Sequence, residues 1–301
     1  MRNPENSISE DYDDPLSSSQ ERPPNSWAAK ILRTDRPRLN IVLFILTCLS
    51  TFFIGYTLNN SIASGLWYSG GIISILLAHE MGHYLMCVRY RIPATLPFFI
   101  PFPSLPFGTM GAVIRMDARM PNRRVLFDIG VAGPLAGLLL TIPAIYFGLK
   151  MSTVVQITGT EGVWTLGDSL LFRWLCRITI GELPEGYDTL LHPLAYAGWA
   201  GLFVTALNLL PIGQLDGGHI LYALVGERGR KIYSVNMALF ALLGIVKFSG
   251  WYLLIVLLLW FGYRHPPTHE NEQPLDRKRQ MLAYLTFLIF ALSFTPVPFQ
   301  I

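Results

Sequence analysis

The stretch WYSGGIISILLAHEMGHYLMCV, residues 67–88, decides the architecture. A helix of that length runs about 33 Å, enough to cross a hydrocarbon core of about 30 Å. Its only His, Asp, Glu, Lys or Arg residues are His79, Glu80 and His83, and such groups at membrane depth are costly enough to mark function by default. They form the pattern H-E-x-x-H. Residues four apart share a helix face, so His79 and His83 can offer two imidazole nitrogens to one Zn²⁺ while Glu80 reaches the water to be activated. In a chain with six His and ten Glu the pattern arises by chance only about 0.4% of the time. A polar cluster that merely glued helices together would not need this spacing.

The composition outside this stretch agrees. Of 301 residues, 51% are hydrophobic and 14% charged, with a mean hydropathy of +0.40, too apolar for an ordinary soluble domain. No Lys, Arg, Asp or Glu occurs in residues 39–78, 189–215 or 280–301. A secreted disulfide scaffold, a soluble Rossmann or barrel enzyme and an outer-membrane barrel are excluded, the last because its strands would alternate polar and apolar residues. The expected fold is an all-α polytopic membrane protein with about seven transmembrane helices, at residues 39–58, 67–88, 125–149, 193–212, 232–246, 248–263 and 281–297. Lys247 and Gly250 break the fifth and sixth into short pieces, so six spans is the competing count.

With the amino terminus inside, seven spans leave only Lys150, Arg173, Arg177 and Lys247 of the 23 Lys and Arg outside, the positive-inside pattern. The expectation is a multi-pass protein of a cell membrane, a bacterial plasma membrane first, with a cytoplasmic amino terminus. Residues 1–38, rich in Pro, Ser and Asn, read as a disordered cytoplasmic tail, and residues 39–301 as one membrane-embedded domain with its catalytic core at about 67–225. The acidic Glu10, Asp11, Asp13 and Asp14 are unlike an organellar transit peptide. Cys48, Cys87 and Cys176 lack metal-type spacing and read as packing residues. In the external loop, SLLFRWLCRITI (169–180) is expected as an interfacial helix with Arg173 and Arg177 on one side and Trp174 near the headgroups.

Two histidines leave a tetrahedral zinc short of a protein ligand. The first candidate is Asp216, in the polar, Gly- and Pro-rich segment NLLPIGQLDGGH (208–219) directly after the fourth apolar run; His219 is the rival. Non-helical backbone at that depth is tolerated where protein buries it or water reaches it, as hydrolysis requires.

HEMGH in one span and NLLPIGQLDGG in a later one resemble the site-2 protease family of intramembrane metalloproteases. GVAGPLAG (130–137) resembles the family's intervening helix, and the match runs over roughly residues 67–225. PFFIP (97–101), FGTMGA (107–112) and FTPVPF (294–299) are similar to the bacterial and chloroplast branch without an inserted PDZ domain. The resemblance implies His79, His83 and Asp216 as ligands of one Zn²⁺ per chain and Glu80 as catalytic acid/base. It also implies hydrolysis of peptide bonds within or near transmembrane segments of membrane-protein substrates, the chemistry of regulated intramembrane proteolysis.

A transmembrane substrate helix shields its own carbonyls, so local unwinding must precede attack, and helix-weak residues should favour cutting. Residues 92–119, rich in Pro, Phe and Gly, are expected to form a re-entrant hairpin with a strand at 112–116 that presents an edge to the unwound substrate; the alternative is a plug that simply buries the site. Candidate substrate contacts are Thr109 and Val113 in the hairpin and Asn208, which could equally be an interhelical polar contact. Gly133 and Gly137 read as packing residues that let helices approach closely. Arg277-Lys278-Arg279 reads as a topology anchor, not a nucleic-acid patch, and His192, His265 and His269 as interfacial or structural. The partners are a transmembrane substrate and the bilayer; oligomeric state is not legible. Two competing functions are a catalytically idle relative that holds membrane clients, disfavoured by an intact Glu80, and an ion or proton transporter, disfavoured because only one Gly/Pro-broken segment is found.

Overall fold

The computed structural model describes residues 37–104, 106–116, 120–156, 165–261, 268 and 274–300. The expected disordered tail, except Pro37 and Arg38, lies outside the described residues, as do the end of the sixth expected span, His265 and His269. Among the described residues, three helices are long and apolar enough to cross a membrane: α1 (Pro37–Asn59), α2 (Ile62–Arg89) and α3 (Arg123–Lys150). Pro37 opens α1, where its fixed φ suits a first turn. The chain reverses between α1 and α2 through Asn60 at φ +50°, a left-handed conformation that Asn tolerates. Asn122 starts α3 by accepting the Val125 N–H at 3.0 Å.

The remaining helices are shorter: α4 (Leu170–Thr179), α5 (Pro193–Asn208), α6 (Asp216–Val225), α7 (Gly229–Val246), α8 (Trp251–Phe261) and α9 (Arg277–Ser293). α5 stops at Asn208 because a run of turns over residues 209–215 follows. It is buried almost all round, from Ala195 and Trp199 to Ala206, whereas α1 turns Ile41, Leu49 and Phe53 outward. An apolar helix exposed on one side is a lipid-facing helix; one apolar and enclosed is core. The protein is thus a mostly helical membrane protein with α2, α3 and α5 packed at its centre.

Among the described residues, six short strands accompany the helices, and only the first two belong to the expected hairpin. They form three antiparallel pairs: β1 (Phe98–Pro101) with β2 (Thr109–Val113), β3 (Thr153–Gln156) with β5 (Tyr187–Leu190), and β4 (Thr165–Leu166) with β6 (Phe299–Gln300). The strand expected at 112–116 begins earlier, at Thr109. Its register follows its partner, with Phe98 opposite Val113 and Pro101 opposite Thr109, and beyond Val113 only an isolated Ala94–Met116 bridge remains. The hairpin is tied down from several sides. Asn40 of α1 donates to Leu96 O and Pro97 O at 3.1 and 2.9 Å, Ser50 to Gly108 O at 2.6 Å, Tyr68 of α2 to Phe107 O at 2.8 Å, and Tyr196 of α5 to Pro106 O at 2.7 Å. Gly108 sits at φ +75°, and a Cβ there would stand 2.9 Å from Ser50 O, so only glycine passes this close to α1.

α4 is helical and amphipathic, capped by Ser169. It buries Phe172 and Leu175 and exposes Leu170, Trp174 and Ile178. Burial pushes the Cys176 thiol up to about 12, as suits an inert packing cysteine. At the opposite end of the chain, Arg279 has a more specific use than a topology anchor. Its guanidinium grips Asp128 of α3 through two bonds of 2.8 and 2.7 Å, and Tyr90 donates to the same carboxylate at 2.5 Å. Asp276 caps α9 and also accepts from Arg279 Nη1. This bidentate pair joins the last helix to the ends of α2 and α3.

Candidate metal centre

α2 presents His79, Glu80 and His83 to the interior, all buried. They fit because α3 has small residues opposite. A Cβ on Gly82 would stand 2.5 Å from Ala132 O, so the two backbones touch beside His83. A Cβ on Gly133 would fall onto the His83 imidazole itself, and one on Gly137 would lie 3.4 Å from His79 Nδ1. The packing role expected of Gly133 and Gly137 therefore has definite partners, the two imidazole rings.

The rings are oriented by hydrogen bonds. His83 Nδ1 lies 2.8 Å from Ile129 O of α3; a carbonyl can only accept, so in the neutral ring Nδ1 carries the proton and Nε2 offers the lone pair. Asn208, at the end of α5, points its amide donor at His79 Nε2 from 3.2 Å, which marks that nitrogen too as an acceptor. Asp216 completes the group. Its Oδ2 lies 3.2 Å from His79 Nε2 and 3.3 Å from His83 Nε2, and the two nitrogens are 3.2 Å apart. Three electron-rich atoms brought this close are stabilised by a cation among them. Tetrahedral zinc with bonds of 2.0–2.1 Å has ligand–ligand edges of about 3.3 Å, so the triangle has the size that ion requires. These three side chains could hold a metal ion.

Asp216 is delivered by tight turns. Gly213 is at φ +57°, and Cβ atoms on Gly217 and Gly218 would fall on the carbonyls of Leu209 and Gly213. Asn236 of α7 donates to Pro211 O at 3.2 Å and Tyr233 to Gly218 O at 2.9 Å, tying the loop and the first turn of α6 to α7. His219, the rival to Asp216, faces α3 at Gly130 and is not among the three residues that converge.

Glu80 receives the backbone N–H of Ile114, the residue after β2. Of the expected substrate contacts, Asn208 stands at the triangle. Thr109 is buried, donating to Ile100 O at 2.9 Å and accepting the Gly111 N–H at 3.0 Å, so its hydroxyl is spent inside the hairpin. Val113 is exposed on β2, opposite Phe98.

Sequence comparison bears on the same region. The model of peptidase family M50 matches residues 67–249, from the start of the HEMGH span to beyond Asp216. The chain belongs to peptidase family M50. This is the site-2 protease family whose motifs it resembles. Among relatives of this M50 chain, probable zinc metalloprotease EGY1, chloroplastic, from Arabidopsis thaliana is 30% identical over 242 residues, covering 75% of this chain and 42% of that protein. The rice (Oryza sativa subsp. japonica) protein of the same name is 33% identical over 197 residues, or 63% and 33% of the two chains. Probable zinc metallopeptidase EGY3, chloroplastic, from Arabidopsis thaliana is 28% identical over 276 residues, or 82% and 46%. The chain thus spans less than half the length of these relatives. No solved structure matches it.

The packing makes a direct prediction. Gly133→Ala drives a methyl group into the His83 ring and is expected to reduce zinc affinity by about 10- to 100-fold, while Gly70→Ala, which meets nothing within 4 Å, leaves it unchanged. Chelator competition on the detergent-purified variants checks this; equal affinity in the two would refute the cradle.

Proposed function

We propose that the chain is an intramembrane zinc metalloprotease that hydrolyses peptide bonds within or near transmembrane segments of membrane proteins. The observation that carries this reading is the triangle of His79, His83 and Asp216 at zinc-ligand spacing, with Glu80 adjacent, inside the M50 match. His79, His83 and Asp216 hold one Zn²⁺. That ion, when bound, polarises the scissile carbonyl and lowers the pKa of water toward 7. Glu80 takes the water's proton and passes it to the leaving amine. Asn208, with its amide already aimed at the triangle, hydrogen-bonds the substrate backbone or the oxyanion that develops there.

The hairpin supplies the substrate's seat. Backbone groups alternate along a strand, so the edge of β2 that turns the Ile114 N–H toward Glu80 also turns the N–H and C=O of Ala112 that way. A locally unwound substrate segment adds to this edge and passes Glu80 as it does so. Thr109 holds the hairpin's shape and Val113 offers an apolar side chain to the incoming segment. The hairpin is re-entrant, entering and leaving on the cytoplasmic side.

Residues 39–301 form the membrane-embedded domain, with the catalytic core at about 67–225 and residues 1–38 a cytoplasmic tail. Seven spans are counted by taking α5, α7, α8 and α9 as crossings that are short or tilted. The cytoplasmic amino terminus and the bacterial plasma membrane rest on the charge distribution alone, since the named relatives are chloroplastic. An idle client-binding protein would have no use for Glu80, and a transporter none for a ligand triangle of this size.

Three outcomes test the reading. Glu80→Gln is expected to retain one zinc per chain while losing cleavage of a model transmembrane substrate by about 10²–10⁴-fold; wild-type protein that binds no zinc would overturn the assignment. Val113→Pro is expected to abolish cleavage of a transmembrane substrate by spoiling the β2 edge while leaving zinc content intact, and unaltered cleavage would reduce the hairpin to a plug. For topology, single cysteines replacing Lys150 and Arg228 in a background without Cys48, Cys87 and Cys176 should react with impermeant maleimide from opposite sides of the membrane.

A further inference from the structure

The guanidinium of Arg123 is buried, yet Arg123 stands in the first turn of its own helix, α3, where the helix dipole repels a cation. A buried charge in an unfavourable position needs a partner elsewhere. Its partner is a hundred residues away. Nε donates to Ala223 O at 2.8 Å and the guanidinium's second nitrogen to Leu224 O at 2.7 Å. These are carbonyls of the last turn of α6, which has no helical N–H to receive and no basic residue of its own. Arg123 is therefore the C-terminal cap of the helix whose first residue is Asp216.

We propose that Arg123 is a positioning residue that sets the affinity of the metal site through α6. This rests on the reading of His79, His83 and Asp216 as zinc ligands. α6 is a rigid rod of about 15 Å, so a bidentate grip at one end fixes the direction in which the carboxylate at the other end projects. The same helix α3 accepts His83 Nδ1 at Ile129 O. One helix that supplies no ligand thus indexes two of the three: a carbonyl orients His83 and a guanidinium orients Asp216. Lysine cannot substitute fully, since its ammonium does not hold two neighbouring carbonyls in a fixed fork.

The experiment measures zinc affinity by chelator competition, alongside the thermal stability of the metal-free protein, for the wild type and for Arg123→Met, Arg123→Lys and Arg124→Met. Arg124 is the exposed neighbour of Arg123 and serves as the control. Arg123→Met is expected to bind zinc about tenfold more weakly or worse, Arg123→Lys to fall between it and the wild type, and Arg124→Met to match the wild type. A merely structural arginine would lower the stability of the metal-free form and leave the affinity of the folded protein alone, which overturns the proposal. If Arg123→Met does not fold, Arg123→Lys decides: wild-type affinity overturns the proposal and weakened affinity supports it. Wild-type protein that binds no zinc fails the underlying reading instead.

Discussion

The backbone contact between α2 and α3 is the constraint on which the rest depends. Helices ordinarily pack 8–10 Å apart, held off by their side chains. Here Gly82 meets Ala132 backbone to backbone, and Gly133 and Gly137 leave their side-chain space to two imidazoles. Without hydrophobic drive inside a bilayer, such close approach is what holds helices together, so the residues that stabilise the helix pair are those that make room for the histidines. The same closeness lets Ile129 O reach His83 Nδ1 and choose its tautomer. Stability and chemistry share one contact, and a single added methyl group at Gly133 disturbs both.

Irregular backbone is the second theme. Turns and hairpins carry unpaired amides that lipid cannot satisfy, and this chain places two such segments, residues 92–116 and 209–215, next to the triangle. Each is paired by protein. The hairpin's carbonyls are taken by Asn40, Ser50, Tyr68 and Tyr196, the loop before Asp216 by Asn236 at Pro211 O, and the first turn of α6 by Tyr233 at Gly218 O. Side chains from four helices thus do what water does for a loop in a soluble enzyme. The arrangement keeps non-helical segments beside the triangle with their carbonyls paired by protein.

What could be read in the sequence follows from the range of each signal. His79, Glu80 and His83 are legible because the helix period alone puts them on one turn, and Asp216 stands out as a carboxylate in an otherwise apolar, Gly- and Pro-rich run. The hairpin was legible as a composition shift, though its register was not: Phe98 selects Val113 as partner, a choice that local strand propensity over 112–116 does not encode. The span count was legible only in part. A hydropathy run does not distinguish the outward-facing α1 from the enclosed α5, since both are apolar. The strand pairs β3–β5 and β4–β6 join segments far apart in the chain and left no local mark beyond the Val154-Val155 pair.

Arg123 and Arg279 show the same limit from the side of charge. Both belong to the clusters of Lys and Arg between the apolar runs, a pattern that accounts for their sign but treats every cation as equivalent. Arginine, however, differs from lysine in carrying a planar fork. One fork closes on Asp128, where Tyr90 also binds, and draws α9 onto the ends of α2 and α3; the other closes on two carbonyls of α6. Charges that the sequence pattern treats alike therefore fasten separate helices once folded, and the two forks grip groups at the end rims of α3 and α6. Since α2 and α6 bear the three converging donors and α3 bears none, the rim contacts set the relative position of α2 and α6 by way of α3. The metal centre is then as rigid as the least firmly held of those helices. α6, ten residues long with Gly217 and Gly218 in its first turn and Gly226 directly after its last residue, is the one that local sequence supports least and distant contacts support most.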